Sequence, residues 1–191
     1  MRSPLFSKGH THTHTHKKKI IIIEMFKSLL KKEKKSEKDP SNPVGSSMEI
    51  TSLLRAVASG KLRKVEEALS QIVSPDSLNS PDVRSGMNSL HIAASMGFEA
   101  ILRRLIDAGI SVDKLSIGPG TYSGTALHFA ALEGRDVAVL LLLGVGASYD
   151  IPDSQGRLAV QCAIDECKGG SFAVLMRRIL KRESWQSALR F

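Results

Sequence analysis

The feature that most constrains the fold is a segment that occurs twice, at residues 89–110 and again from Ala126. In the first copy, an apolar face with the i, i+3, i+4 spacing of a helix begins at Leu90. Gly97 follows, and glycine commonly ends a helix in the left-handed conformation. A second, bulkier apolar face then comes from Ile101, Leu102, Leu105 and Ile106. Each copy is therefore predicted to form two short helices joined by a tight turn.

The two copies align with a constant offset of 37 residues, so that Leu90 pairs with Leu127. Weaker copies lie one step earlier, around Leu53, and one step later, around Val160. Repeat lengths in the thirties are typical of two-helix repeats. A helix pair of this size cannot bury both of its apolar faces alone, so the copies are predicted to stack side by side around a continuous core.

Two stretches carry a more specific signature. Residues 86–94 read GMNSLHIAA and residues 125–131 read TALHFAA, while GVGA at 144–147 ends the second copy. These stretches resemble the Gly-x-Thr-Pro-Leu-His-x-Ala-Ala pattern of ankyrin repeats. The resemblance covers residues 50–182 and implies an all-α ankyrin-repeat solenoid of about four helix-turn-helix repeats with projecting loops.

The sequence departs from the ankyrin pattern in ways that bear mainly on its last repeat. The proline of the pattern is absent from each copy, Asn88 replaces threonine, and residues 158–161 lack both the threonine and the histidine. The geometry of the fourth repeat is therefore left open. Residues 168–170, which read KGG, are predicted to lengthen the joint between its two helices.

By composition the chain divides into three parts. Residues 1–48 form a basic low-complexity tail that is predicted to be disordered, because it has few residues with which to build a core. Residues 49–186 form the predicted ankyrin-repeat domain, and residues 187–191 form the C-terminal end. The individual repeats are predicted near 50–82, 83–119, 120–152 and 153–185.

Positive charge is concentrated in the tail. The chain has a formal net charge of +8, and residues 1–48 hold eleven basic against four acidic residues. Residues 49–191 hold sixteen basic against fifteen acidic residues. A nucleic-acid-binding domain needs a basic patch on its folded part. The composition of the repeats therefore predicts no specific nucleic-acid binding.

Several interpretations of the tail remain open. Its HTHTHTH run at residues 10–16 could bind Zn, Ni or Cu, although nothing would hold the imidazoles in place. The run also resembles a translated nucleotide repeat, in which case Met25 or Met48 would be the natural start. Residues 20–35 could form a basic amphipathic segment in weak contact with an anionic membrane. The lysines of residues 31–35 could instead serve as a nuclear localisation signal.

Residues that could support catalysis are scarce in the repeats. The resemblance implies that His91 and His128, the latter with Thr125 beside it, hold the loop-to-helix turns by hydrogen bonds. The sequence has no GxxxxGK[ST] phosphate loop and no nucleophile motif, and Cys162 and Cys167 lack the spacing of zinc ligands. We therefore predict no enzymatic activity, no cofactor and no metal. The expected protein is a monomer inside the cell, in the cytoplasm or the nucleus.

What remains is recognition of a protein partner by a surface. In ankyrin repeats, such contacts come from the loop tips and from the two positions before the mid-repeat glycine. The resemblance thus implies the contact residues Arg84, Ser85, Met87, Ser95, Met96, Tyr122, Gly124, Leu132, Glu133, Gln155 and Arg157. Tyr122 and Leu132 are predicted to be the main anchors, because binding energy concentrates in a few apolar and aromatic side chains. The long loop at residues 118–122 is predicted to lift Tyr122 away from the stack.

The sequence therefore predicts a non-catalytic protein–protein interaction module. Such an adaptor, scaffold or regulatory subunit would bind a partner of unknown identity through the concave surface of its inner helices and loops. The alternative is a membrane-recruited scaffold, in which residues 20–35 contact anionic lipid and the repeats hold a protein.

Overall fold

A computed structural model of the chain describes residues 45–72, 75–82, 85–117 and 122–188, without the side chains of residues 45–49, 75 and 182–188. All regular structure in these ranges is helical. In chain order the helices are α1 (Gly45–Ala58), α2 (Leu62–Gln71), α3 (Pro75–Leu78), α4 (Ser89–Met96), α5 (Glu99–Asp107), α6 (Ala126–Glu133), α7 (Asp136–Gly144), α8 (Ala159–Asp165) and α9 (Gly169–Ala188).

The helices stack in two layers. An inner row consists of α1, α4, α6 and α8, each packed against the next, and an outer row consists of α2, α5, α7 and α9. The inner helices approach closely because their facing positions are small. Ala93, Ala94, Ala130, Ala131 and Ala163 have no exposed surface. The outer row contributes bulkier core side chains, among them Leu102, Leu105, Leu142 and Leu175, which are likewise fully buried. The predicted all-α repeat solenoid is confirmed.

The inner helices begin and end with defined caps. Asn88, at the position where the ankyrin pattern has threonine, accepts hydrogen bonds through Oδ1 from the backbone N–H groups of Leu90 and His91 at 3.0 and 3.1 Å. Asparagine is among the best residues at this position, so the departure from the pattern does not weaken the turn. Gly97 ends α4 with φ 73° and Gly134 ends α6 with φ 66°, a region that favours glycine.

The fourth repeat has the same architecture as the others despite its divergent sequence. Gln161 replaces the histidine, and its Oε1 accepts a hydrogen bond of 2.7 Å from the backbone N–H of Leu158. The equivalent of Gly97 and Gly134 is Cys167, which has φ 55°. A side chain in this left-handed region crowds the backbone, so Cys167 is strained at the turn that follows α8.

Cys167→Gly is expected to stabilise the protein by about 1 kcal/mol, because glycine removes the clash that a side chain makes in the left-handed conformation. A urea melt of the full chain would measure the change. Cys167→Ala is the matched control, since it removes the thiol but keeps the Cβ atom. If alanine stabilised the chain as much as glycine, the strain assigned to Cys167 would be wrong.

The joint in the fourth repeat is shorter than predicted. Gly169 and Gly170 were expected to lengthen the connection, but they are the first two residues of α9. Gly170 lies against α7, where an added Cβ atom would overlap the carboxylate of Asp136. The same carboxylate accepts a hydrogen bond of 2.6 Å from Ser171 Oγ. The glycine therefore serves close helix packing rather than a longer turn.

Candidate functional site

Three loops connect the repeats on the side of the inner-helix N-termini. We call them finger 1 (residues 79–88), finger 2 (residues 110–125) and finger 3 (residues 147–158); residues 83–84 and 118–121 lie outside the described ranges. Neighbouring fingers are joined through their backbones. The N–H of Ile117 donates to the carbonyl of Gly86 at 2.9 Å, and the N–H of Ser154 donates to the carbonyl of Ser123 at 2.8 Å. The fingers therefore form one continuous edge of the stack.

His91 connects the second repeat to finger 2. Its Nδ1 accepts a hydrogen bond of 3.1 Å from the backbone N–H of Asn88, and its Nε2 lies 2.8 Å from the carbonyl oxygen of Lys114. This pairing requires a neutral ring with the proton on Nε2. Burial of the ring lowers the pKa of His91 from 6.5 to about 4, outweighing the opposing effect of its hydrogen bond to the carbonyl of Lys114.

His128 makes the equivalent connection from the third repeat to finger 3. Its Nδ1 lies 3.2 Å from the backbone N and 2.9 Å from the Oγ1 of Thr125, and its Nε2 lies 3.1 Å from the carbonyl oxygen of Arg157. Burial lowers the pKa of His128 as well. With both ring nitrogens engaged, neither histidine has an atom left with which to act as an acid, a base or a metal ligand.

Tyr122 does not project from finger 2 as predicted. Its ring packs edge-on against Phe129 with the centroids 5.4 Å apart, and its hydroxyl lies 3.7 Å from the Sγ of Cys162. The guanidinium of Arg157 lies 5.9 Å from the ring centroid. Burial strongly raises the pKa of the phenol. Packing an aromatic ring against the stack, with a partner for its hydroxyl, gains free energy. This gain outweighs the conformational freedom that Tyr122 would have if the longer loop held it in solvent.

Finger 3 is held by the carboxylate of Asp153. Oδ1 accepts hydrogen bonds of 2.8 Å from the backbone N–H groups of Gln155 and Arg157, and Oδ2 accepts one of 3.0 Å from the Nε of Arg157. Burial alone would raise the pKa of Asp153, but these hydrogen bonds and the positive charge of Arg157 hold it below its usual value. Arg157 also pairs with Asp165 at 3.0 Å. The side chain of Arg157 is therefore held in place by contacts within the repeats.

The contact residues predicted from the resemblance divide by exposure. Ser85, Met87, Ser95 and Gly124 are buried, because the stacked fingers and helices cover them, so they offer little surface to a partner. Met96, Leu132 and Glu133 are half-buried at the ends of the inner helices, and Gln155 is exposed in finger 3. Tyr122 and Arg157 are half-buried as well, but they make the contacts within the fold described above. Arg84 lies outside the described residues. The accessible part of the predicted surface therefore runs along Met96, Leu132, Glu133 and Gln155.

The most exposed apolar residues of this region were not among the contact residues predicted from the sequence. Ile117 of finger 2 is 71% exposed, Leu115 of the same finger 38%, and Ile164 of α8 53%. In the sequence, Leu115 and Ile117 stand directly before the glycine-rich stretch at residues 118–120. Finger 2 therefore does present an apolar side chain to solvent, but that side chain is Ile117 and not Tyr122.

The described ranges hold no group of three or more His, Cys, Asp or Glu side chains that could hold a metal ion. They also contain no helix long and apolar enough to cross a membrane. The histidine run at residues 10–16 and the basic segment at residues 20–35 lie outside the described residues, so the alternatives that depend on them stay predictions.

Comparison with known proteins places this geometry in a family. A family model of ankyrin repeats, in three copies, matches residues 53–153. The chain is 29% identical over 121 residues to the palmitoyltransferase Hip14 of Drosophila melanogaster, a match that covers 63% of the chain and 18% of that protein. It is 30% identical over 87 residues to the E3 ubiquitin-protein ligase KEG of Arabidopsis thaliana, covering 46% of the chain and 5% of that protein. The chain thus spans less than a fifth of either relative.

Proposed function

The chain belongs to the ankyrin-repeat family, and from this premise we propose that it is a non-catalytic adaptor, scaffold or regulatory subunit. Ankyrin repeats generally mediate binding to protein partners. In the proposed complex, the partner contacts the fingers and the half-buried residues at the C-terminal ends of the inner helices. We call this surface the finger face and define it by Ile117, Met96, Leu132, Glu133 and Gln155.

The observation that carries the proposal is the position of Ile117. An apolar side chain that is 71% exposed gains free energy when a partner covers it. Its backbone is fixed by the hydrogen bond to Gly86, so little conformational entropy is lost on binding. Leu132, half-buried at the end of α6, supplies a second apolar contact on the inner helices.

The chemistry of the titratable groups supports a role without catalysis. His91 and His128 are engaged at both nitrogens. Burial raises the pKa of the Cys162 thiol to about 11, so the thiolate needed for nucleophilic attack is scarce at neutral pH. The activities of the two relatives are not proposed for this chain, because the matched segments cover only 18% and 5% of those proteins.

The same observations support the remaining parts of the proposal. Free thiols at Cys162 and Cys167 fit a reducing intracellular compartment, either cytoplasm or nucleus. The near balance of basic and acidic residues after residue 48 argues against nucleic acid as the main ligand. We propose that the protein acts as a monomer whose finger face is open to its partner.

Replacing Ile117 by serine together with Leu132 by alanine is expected to weaken partner binding by more than tenfold. The two substitutions remove apolar contacts of the kind in which interface free energy concentrates. The tagged full chain and the double variant would be used to capture proteins from a cell extract, with quantitative mass spectrometry of the retained proteins. A captured partner would then be purified and its Kd measured by calorimetry.

The matched control is the double variant Arg103→Ala and Arg104→Ala, which changes two exposed residues of the outer helix α5. It is expected to bind like the wild type. Circular dichroism must give all three proteins the same helicity and closely similar melting temperatures. Full affinity in a folded finger-face variant, with loss in the α5 variant, would refute the proposed face.

A further inference from the structure

The outer helix α7 has an apolar face that the core does not use. Its residues Ala138, Val139, Leu142 and Leu143 are buried against the neighbouring helices. On the opposite side, Val137 is 50% exposed, Leu140 55% and, just beyond the helix, Val145 48%. Leu141 lies beside them and is half-buried. We call Val137, Leu140, Leu141 and Val145 the outer patch. Packing within the repeat stack does not explain it.

The preceding repeat shows that this position need not be apolar. In α5, 37 residues earlier, the residues equivalent to Val137, Leu140 and Leu141 are Ala100, Arg103 and Arg104. All three are exposed, and Arg103 pairs with Glu99 at 3.0 Å. An outer helix of this solenoid is therefore stable with a polar solvent face. Exposed apolar side chains that gather on one helix face, as in the outer patch, mark interaction sites.

A basic cleft adjoins the C-terminal end of the outer patch. Residues 146–150, which follow Val145 directly and include the carboxylate of Asp150, line a cleft of about 440 Å³ together with Arg178 and Lys181 of α9. Arg177, also exposed, precedes them on α9. The cleft edge thus has a net positive charge, with Arg177, Arg178 and Lys181 against Asp150. The α5 side is balanced, with Arg103 and Arg104 against Glu99 and Asp107.

We propose that the outer patch and the basic cleft together bind an acidic amphipathic helical segment of a partner protein. Along a helix axis, Val137 and Val145 are separated by about 12 Å, a length that two turns of a partner helix would cover. Apolar residues of that helix would lie on the outer patch, and an aspartate or glutamate at its end would enter the cleft beside Arg178. Such helix-on-groove binding is a common mode of peptide recognition. This second surface is independent of the finger face.

The charges around the outer patch favour one kind of occupant over the others. The tail of this chain carries eleven basic and only four acidic residues, and the cations of α9 would repel it. A second copy that used the same surface would bring the two sets of α9 cations together. An anionic membrane would favour cations on both sides of the patch, but the α5 side is mixed in sign. An acidic helix is the occupant that fits both the apolar patch and the net positive charge of its cleft edge.

A displayed library of random 15-residue peptides, selected on the full chain and counter-selected on the Leu140→Gln variant, tests the proposal. The recovered peptides are expected to be net acidic, with apolar residues at i, i+3, i+4 and i+7. A synthetic copy of a recovered peptide should bind Leu140→Gln and Arg178→Gln at least tenfold more weakly than wild type. Because Leu140 is exposed and its equivalent in α5 is an arginine, the variants should keep wild-type helicity and melting temperature.

Ile164→Gln is the matched control, since Ile164 is 53% exposed but lies on the inner helix α8. The peptide should bind this variant like wild type. Recovered peptides without net negative charge, or equal binding to Leu140→Gln, would overturn the proposal. So would phosphatidylserine vesicle binding, or a dimer in sedimentation equilibrium, that disappears in Leu140→Gln, because either result would assign the outer patch to another occupant.

Discussion

Replacing Leu105 with alanine is expected to lower the free energy of unfolding by about 2–5 kcal/mol, whereas Arg104→Ala should cost roughly 0.5 kcal/mol or less. Leu105 is fully buried on the core face of α5, while the adjacent Arg104 is exposed. Truncating Leu105 removes apolar contacts and leaves a cavity that the packed neighbours fill only in part. Urea melts of the full chain and both variants would measure the difference.

The adjacent position is a stringent control, because the two substitutions are made on the same turn of the same helix. Equal losses would mean that α5 is rotated about its axis relative to the structure. If Leu105→Ala lowered the free energy of unfolding only slightly, the outer row would contribute less to the stability of the core than its burial indicates.

Acidification from pH 7 to pH 4 is expected to destabilise the protein by on the order of 3 kcal/mol through His91 alone. The pKa of His91 is about 4 in the folded chain and about 6.5 when unfolded. The unfolded chain therefore binds the proton first, so this contribution to stability is complete above pH 6.5 and is lost as the pH falls towards 4. The lowered pKa of His128 adds to the loss with the same sign. Urea melts at half-unit pH intervals would measure it.

The chain offers a matched variant for this test. Gln161 makes, in the fourth repeat, the turn hydrogen bond that His91 makes in the second. His91→Gln with His128→Gln should therefore fold, with lower stability at pH 7 but little dependence on pH between 7 and 4.5. Asp153 adds little to the change in stability between pH 7 and 4.5, because its lowered pKa places its own effect on stability in more acidic solution. An unchanged pH slope in the double variant would show that other groups cause the acid loss.

Much of the repeat core could be predicted from the sequence, because apolar spacing and a constant offset depend only on helix geometry and stacking. Leu90, Leu102 and Leu105 are buried as their spacing predicted, and the equivalent Leu127 and Leu142 follow. The geometry of the fourth repeat was left open because residues 158–161 lack the threonine and the histidine of the pattern. The structure shows that the amide of Gln161 can replace the imidazole at the turn, and that Cys167 can occupy the left-handed position.

The binding surface was harder to predict, because exposure within a finger depends on contacts between repeats. Tyr122 and Ile117 both lie in finger 2, and sequence spacing does not say which of them packs. The structure holds Tyr122 half-buried, because Phe129 packs edge-on against its ring and Cys162 lies 3.7 Å from its hydroxyl. Ile117, in the same finger, is 71% exposed. Similarly, Ser95 is buried and Arg135 of the next repeat lies against it, with its Nε donating a hydrogen bond of 3.0 Å to the carbonyl oxygen of Ser95.

The most direct test of the account is amide hydrogen exchange on the full chain, alone and in complex with the partner whose capture depends on Ile117 and Leu132. The prediction is slower exchange at residues 114–117 and 153–157 of the fingers and near Leu132, with no change in the outer helices α2 and α5. These outer helices serve as the internal reference. Protection confined to the outer row, with the fingers unchanged, would contradict the assignment of the finger face as the partner-binding surface.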